Sequence, residues 1–412
     1  MEGSLQLGTV RYNKDAYIVV EGKQNADRFF IIQQGKVGIS REIEIATGDS
    51  KILNPGDFFG VISTMSSHNH IETAQALTDV VMIAVHRDQY GALIQKNTLV
   101  AMKIITQFSK RLRFLNEILA GISMKQSAEA GPDHLFEIAE YYLKQKQFSK
   151  AVFIYYRYLK HCPDGRNADI AKRRIENSKI HAISTIKENE YKPDDLKRIY
   201  NKDALLFVEG EPGDEMFIIQ KGSIKITKIT SDNEVLLAVL KAGDIFGEMA
   251  LLEGKPRAAT AMAYDDCEVM VINRANFEQM IRTQPQLITR VTALLADRLW
   301  LIYKQLANTL IDDPVGRMYD ALLIQLEKNR VPLNEQKPYL FSFGQWELAN
   351  MVGLPEKRAK PVLAEFLDNK KIEIIENKIH TVSVQELVKQ AEFYRKMDKI
   401  KKAQIKSQLE RA

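Results

Sequence analysis

Between Ala242 and Ala263 the chain reads AGDIFGEMALLEGKPRAATAMA, a run whose residue types suit an anionic ligand. Arg257 offers a planar fork of donors that matches phosphate oxygens. The two residues after it, Ala258 and Ala259, are small enough to let backbone N–H groups approach an anion closely. Gly247 followed by Met249-Ala250-Leu251-Leu252 predicts a short helical turn that aims its positive end at the same point. Glu248 would repel a phosphate. Its presence makes sense if it accepts a hydrogen bond from a sugar hydroxyl while Arg257 takes the phosphate, so the segment would hold a ribose phosphate. A β-roll with an incidental Arg-Glu pair is the competing reading. The sequence shows no nucleophile-and-base arrangement, metal-ligand cluster or triphosphate-binding P-loop, so no enzyme is predicted.

FGEMALLEGKPRAATA resembles the phosphate-binding cassette of cyclic-nucleotide-binding domains, and a second element of that family stands upstream as Gly210-Glu-Pro-Gly213, then Met216-Phe-Ile-Ile219 and Gly222. The resemblance implies a site lined by Phe246, Gly247, Glu248, Met249, Ala250, Arg257, Ala258 and Ala259. Glu248 would meet the ribose 2′-hydroxyl and Arg257 the cyclic phosphate. It further implies cyclic AMP over cyclic GMP, because cyclic-GMP kinases carry a Thr after the cassette arginine where Ala258 stands here.

The elements that must position these residues occur twice. Tyr12-Asn-Lys-Asp-Ala16 returns as Tyr200-Asn-Lys-Asp-Ala204, Pro55-Gly-Asp-Phe-Phe-Gly60 as Ala242-Gly-Asp-Ile-Phe-Gly247, and Thr73-Ala-Gln-Ala76 as Thr260-Ala-Met-Ala263. Both copies, about 8 to 96 and 196 to 281, alternate short β-branched and aromatic runs with Gly, Asp and Asn turns, which predicts a compact antiparallel roll. The first copy lacks the chemistry. It has Val61 and His70 in place of Glu248 and Arg257, Ile71 and Glu72 in place of Ala258 and Ala259, and Ala26 in place of Gly213. Glu72 would put a carboxylate where a phosphate belongs. His68 and His70 read as exposed loop residues able to meet an anion only at low pH. A structural or interaction role is expected for this copy, a different ligand being the alternative.

A long amphipathic helix is predicted from Asn97 to about Met124, either for a second subunit or for its own roll. Leu135, Ile138, Ala139, Tyr142, Phe148, Ala151, Tyr155 and Tyr158 then follow the spacing of one tetratricopeptide repeat, with a third helix from Asn167 to Lys179. One repeat cannot bury its face alone, so it must lean on a neighbouring domain, a protein partner or a second subunit. A second long helix, Gln286 to Leu310, resembles the dimerisation helix of catabolite-activator and FNR (Crp/FNR) regulators. That resemblance places Trp300 and Tyr303 where a partner helix reaches the nucleotide base, dimer-interface aromatics being the alternative. Asp312-Asp313-Pro314 resembles the hinge of those regulators. Met318 to Lys328, Phe343 to Gly353, Glu356 to Asn369 and Ile372 to Val384 resemble their winged helix-turn-helix, with ENK at 376 to 378 as the wing turn. The reader helix departs from the pattern: Lys357, Arg358 and Lys360 suit DNA phosphates better than bases, and Pro361 implies a late start near Lys360 or a kink. Ser383 to Ala412 reads as a charged helical tail for nucleic acid or for another helix.

The composition, 412 residues with 45% apolar content and a net charge of +5, fits a soluble protein of several domains. No run is apolar enough to span a bilayer and no leader pattern opens the chain, so a cytoplasmic location is expected. Cys162 and Cys267 imply neither a disulfide framework nor a zinc site. From Lys328 onward 17 Lys and Arg face 11 Asp and Glu, which suits a polyanion partner or simply solvated helix faces. The expected fold is α+β: a degenerate roll with its helix (1–124), a TPR-like helical segment (125–190), a cyclic-nucleotide-binding roll with a dimerisation helix (191–311), a winged helix (312–384) and a tail (385–412). The expected function is that of a homodimeric regulator, responsive to cyclic AMP, that binds double-stranded DNA. The alternative is a nucleotide-dependent scaffold acting through protein contacts.

Overall fold

A computed structural model describes residues 7–23, 26–41, 51–123, 133–179, 191, 195–229, 234–354, 356–368 and 371–409. The first roll comprises β1 (Gly8–Tyr12), β2 (Tyr17–Val19), β3 (Arg28–Gln34), β4 (Val37–Ser40), β5 (Lys51–Leu53), β6 (Phe58–Phe59), α1 (Val61–Ser66), β7 (Thr73–Ala76) and β8 (Val80–His86). Helices α2 (Tyr90–Lys96), α3 (Thr98–Ser123), α4 (His134–Lys144), α5 (Phe148–His161) and α6 (Ala168–Lys179) follow. The second roll comprises β9 (Lys197–Tyr200), β10 (Leu205–Phe207), β11 (Glu215–Lys221), β12 (Ser223–Ile229), β13 (Glu234–Lys241), β14 (Ile245–Phe246), α7 (Glu248–Glu253), β15 (Thr260–Ala263) and β16 (Cys267–Asn273). Then come α8 (Arg274–Thr283), α9 (Pro285–Thr309), α10 (Pro314–Lys328), β17 (Tyr339–Leu340), α11 (Gln345–Met351), α12 (Glu356–Leu367), β18 (Ile372–Ile375), β19 (Lys378–Thr381) and α13 (Val384–Leu409).

The two rolls share one topology. The first pairs its strands antiparallel in the orders β1-β8-β3-β6 and β2-β7-β4-β5, and the second repeats both as β9-β16-β11-β14 and β10-β15-β12-β13. Gly222 shows why the turn residues recur with the strands. Its φ is +78° and an added Cβ would stand 2.3 Å from the Asp266 carbonyl oxygen, so a side chain is excluded twice over.

The chain divides into two compact units that cut across the repeat: Asp88–Leu295, and Gln6–Arg87 with Ala296–Ala412. In the first, the second roll is packed by a helix that follows the first roll in sequence. Ser109 Oγ donates to the Glu253 carboxylate at 2.8 Å and Arg113 Nε to its other oxygen at 2.9 Å, which ties α3 to α7. The apolar faces of α4, α5 and α6 close on one another and on Leu205, Val208 and Met262 of the roll. These three helices therefore bury their apolar faces against one another and the second roll. Tyr142 donates to Glu234 at 3.0 Å, and Arg157 Nη1 lies 3.1 Å from the Glu211 carboxylate.

In the second unit the first roll has its own core around Phe30, Ile32, Phe59 and Met82. The C-terminal elements share another, in which Tyr319, Phe341, Leu348, Phe366 and Ile379 are buried. Asp313 caps α10 by accepting from Gly316 N at 2.9 Å, and Pro314 occupies the first turn, where its missing N–H costs nothing. Glu376 and Asn377 both have positive φ, 48° and 60°, as a tight two-residue hairpin turn between β18 and β19 requires. β17 adds a third strand beside β19, an element too short for sequence periodicity to reveal. The helix expected to be the reader does not start late: α12 begins at Glu356 and runs through Pro361. The tail helix α13 is bound to α10, with Arg395 paired to Asp320 and the Tyr394 ring stacked 5.7 Å from Tyr319.

Candidate ligand site

The cassette lies at the β14-to-α7 corner of the second roll. Gly247 takes φ 75° and caps α7, so Glu248 opens the helix with its side chain turned inward at 3% exposure. Arg257, four residues beyond α7, is 6% exposed and folds back onto that corner. Its Nη1 donates to Gly247 O at 2.8 Å and to Glu215 O at 2.7 Å, and its guanidinium stands 4.2 Å over the Phe207 ring. Gly213 is the floor on which it rests. A Cβ there would come within 2.3 Å of Arg257 Nε, which explains the glycine in the upstream loop.

The electrostatics keep a cation ready. Burial pulls the Arg257 pKa down to about 10, opposed by the charges of Glu211, Glu215, Asp214 and Glu248, so the group stays protonated at neutral pH. Its Nε is buried and has no hydrogen-bond partner among the described residues. An orphaned donor on a buried cation is what an incoming phosphate oxygen would satisfy. The loop that holds it is braced from outside the roll: burial pushes Glu211 up, but the hydrogen bond from His161, the Arg157 charge and the Val208 N–H outweigh it and hold the carboxyl below its usual range. Gly210 N donates to Arg257 O and Arg257 N to Glu211 O, locking loop and cassette together.

Of the other expected site residues, Phe246 and Ala250 are buried, Phe246 being stacked on Phe217 at 5.1 Å, whereas Met249 and Ala259 are half-buried and Ala258 is exposed. Trp300 and Tyr303, expected at a nucleotide base of the second roll, are engaged with the first. Trp300 stacks on His68 with ring centroids 3.9 Å apart, and Arg41 lies 4.4 Å over the Tyr303 ring. A helical stripe tells which face is apolar but not which of two similar rolls it meets. His70 is buried and His68 half-buried with its side chain 8% exposed, not exposed as a polar loop suggests. In the C-terminal unit Arg358 and Lys360 are exposed on α12 on either side of buried Ala359, and the Lys357 side chain lies outside the described residues.

Residues 9–97 and 197–284 each match the family model of the cyclic nucleotide-binding domain. The chain carries two cyclic nucleotide-binding domains in tandem. It is 27% identical over 193 residues to the CRP-like cAMP-activated global transcriptional regulator of Mycobacterium tuberculosis, covering 47% of this chain and 83% of that protein. With the cAMP-activated global transcriptional regulator CRP of Escherichia coli it shares 28% over 171 residues, or 41% and 81% of the two chains. With the cyclic AMP receptor protein of Thermus thermophilus it shares 29% over 168 residues, or 40% and 74%. Of the two cyclic nucleotide-binding domains only the second keeps the Glu248 and Arg257 pair. Among the described residues no helix is long and apolar enough to cross a membrane, and no His, Cys, Asp and Glu cluster could hold a metal.

Proposed function

We propose that the second cyclic nucleotide-binding domain takes one cyclic purine mononucleotide, cyclic AMP in preference to cyclic GMP, and that its occupancy regulates DNA binding by the C-terminal domain of a cytoplasmic, homodimeric protein. The observation that carries the ligand is Arg257: buried, charged, short of one hydrogen-bond partner at Nε, and set between Gly213 and Gly247. The cyclic phosphate would displace its bond to a backbone carbonyl, and the inward Glu248 would accept the ribose 2′-hydroxyl. Ala258 and Ala259 leave their N–H groups open to the phosphate oxygens. The relatives are named as cAMP-activated regulators, which supports the same ligand. Titration calorimetry with cyclic AMP should give one site per chain. Cyclic GMP binding ten times tighter would overturn the assignment.

The DNA arm rests on the C-terminal order of helix, two further helices and a β-hairpin, read as a winged helix, with Arg358 and Lys360 exposed on α12 for phosphates. A mobility-shift assay on genomic fragments at low salt, with saturating cyclic AMP, tests it. A specific observation favours a second reading, in which this domain is a protein-interaction module: Trp346 on α11 is 42% exposed beside a small hollow lined by Ala349, Asn350, Leu354 and Ala359. No retained DNA fragment would promote that reading. The face of α4 to α6 is already covered by the second roll, and it is assigned no partner.

A further inference from the structure

We propose that the first roll carries its own anion: the Glu72 carboxylate occupies the place of the cyclic phosphate, and the roll so filled is the dock for the second half of α9. Gly60 corresponds to Gly247 and has the same left-handed cap geometry, φ 79° against 75°. In the second roll the arginine comes from the cassette and awaits an external anion. In the first the roles are reversed. Glu72, at the place of Ala259, accepts from Gly60 N at 3.1 Å, and the counter-charge arrives from the end of β4, where Arg41 Nη2 donates to Glu72 at 3.0 Å. The two side chains are only 10% and 12% exposed. Glu72 thus holds an N–H and a guanidinium, while Arg41 holds a carboxylate through Nη2 and the face of Tyr303.

The space around this carboxylate is also closed by the protein itself. Trp300, 1% exposed, stacks on His68, and His68 Nε2 lies 3.2 Å from Asp297. Asp297, Trp300 and Tyr303 follow one another at three-residue spacing, so a single face of α9 receives both contacts from the roll. Val61 is buried and offers a ribose hydroxyl no acceptor. An incoming nucleotide would have to expel Glu72, strand Arg41 and unstack Trp300 at once. The roll therefore answers to a residue of its own chain instead of a diffusible signal.

The test uses the full chain carrying Trp346→Phe, which leaves Trp300 as the single tryptophan, since the sequence has two. Glu72→Gln keeps the shape and removes the charge. It should red-shift Trp300 emission and speed amide exchange across residues 296–309 at least tenfold, with nucleotide binding at the second roll changed less than twofold. Unaltered emission and exchange would overturn the proposal. A second arm needs no change in the first roll: Arg257→Ala should leave Trp300 emission untouched at a cyclic AMP concentration that just saturates the parent chain, whereas a residual site of parent-like affinity that quenches Trp300 would also overturn it. If the parent chain binds no nucleotide at all, the functional reading above fails while the emission and exchange results still decide this one.

Discussion

Under the proposed function ligand binding would turn on Arg257, because it is the one buried cation that the cassette supplies. Arg257→Ala should weaken cyclic AMP binding at least a hundredfold, since removing one partner of a buried charge pair costs roughly 3 to 5 kcal/mol. Glu248→Ala should cost less, as a sugar hydroxyl bond is neutral on one side. Gly213→Ala is the subtler check. Its Cβ would press on Arg257 Nε and turn the guanidinium away, so affinity should fall about tenfold or more while the melting temperature moves little. Normal affinity in Gly213→Ala by calorimetry would mean that the arginine swings freely on binding. His70 supplies a pH signature. Burial lowers its pKa against the opposing charges of Glu72 and Asp27, so the unfolded chain binds the proton more readily than the folded one. Its contribution is therefore complete above the ordinary histidine value of about 6.5 and is lost as pH falls through the lowered folded value. Urea unfolding at pH 7.5 and 5.5 should show that His70→Gln loses less stability on acidification than the parent, and equal losses would remove His70 as the cause. The sequence made Glu248, Arg257 and the displaced carboxylate of Glu72 visible, since all lie in contiguous motifs. Arg41 was invisible, because it meets Glu72 only after the strands between them have paired.

At the scale of elements, the amphipathic stripes located α3 and α9 but not their partners. Ser109 and Arg113 clamp Glu253, whose side chain is 2% exposed, so the cassette helix is held by α3 at one end while Gly247 and Arg257 hold the other. Arg113→Ala leaves that carboxylate buried without its cation, an imbalance of about 3 to 5 kcal/mol that should appear in denaturant midpoints. Adding Glu253→Gln should return part of the loss. A double-mutant cycle with no coupling would show that the clamp is incidental. Roll topology was legible from the repeat, the hairpin turn from Glu376-Asn377-Lys378, and the capping of α10 from Asp313-Pro314. Continuity of α12 through Pro361 was not, since the proline penalty of roughly 3 kcal/mol is a local preference that packing of Leu363 and Phe366 into the shared core overrides. Nor was the partner of α13, because a lysine-rich tail does not show that half-buried Tyr394 and Arg395 meet Tyr319 and Asp320.

For the whole chain, α9 is the element through which occupancy of the second roll would reach the C-terminal domain. It is one unbroken helix, yet its residues belong to both compact units: Thr292 meets the Tyr90 hydroxyl at 3.0 Å in one, and Trp300 and Asn308 are fixed in the other, where Asn308 Nδ2 donates to Arg317 O and Asp320 at 2.8 Å. Two similar rolls with two similar helices leave this pairing undetermined in a sequence, since exchanging the helices alters no motif. Coupling between two sites is typically worth 1 to 3 kcal/mol, so cyclic AMP should change DNA affinity by about 5- to 150-fold. Because Arg358, Lys360 and the tail lysines would meet phosphates, that affinity should fall steeply with salt, and Lys360→Ala should lower the slope by about one. The mechanism is tested by softening α9 where the units divide. Ala293→Gly with Ala296→Gly costs roughly 1 kcal/mol of helix propensity at each position and removes no polar contact. Cyclic AMP should then bind the second roll with nearly the parent affinity, while its effect on DNA affinity in a mobility-shift titration falls below about twofold. A softened helix that still transmits the full response would show that the signal does not travel along α9.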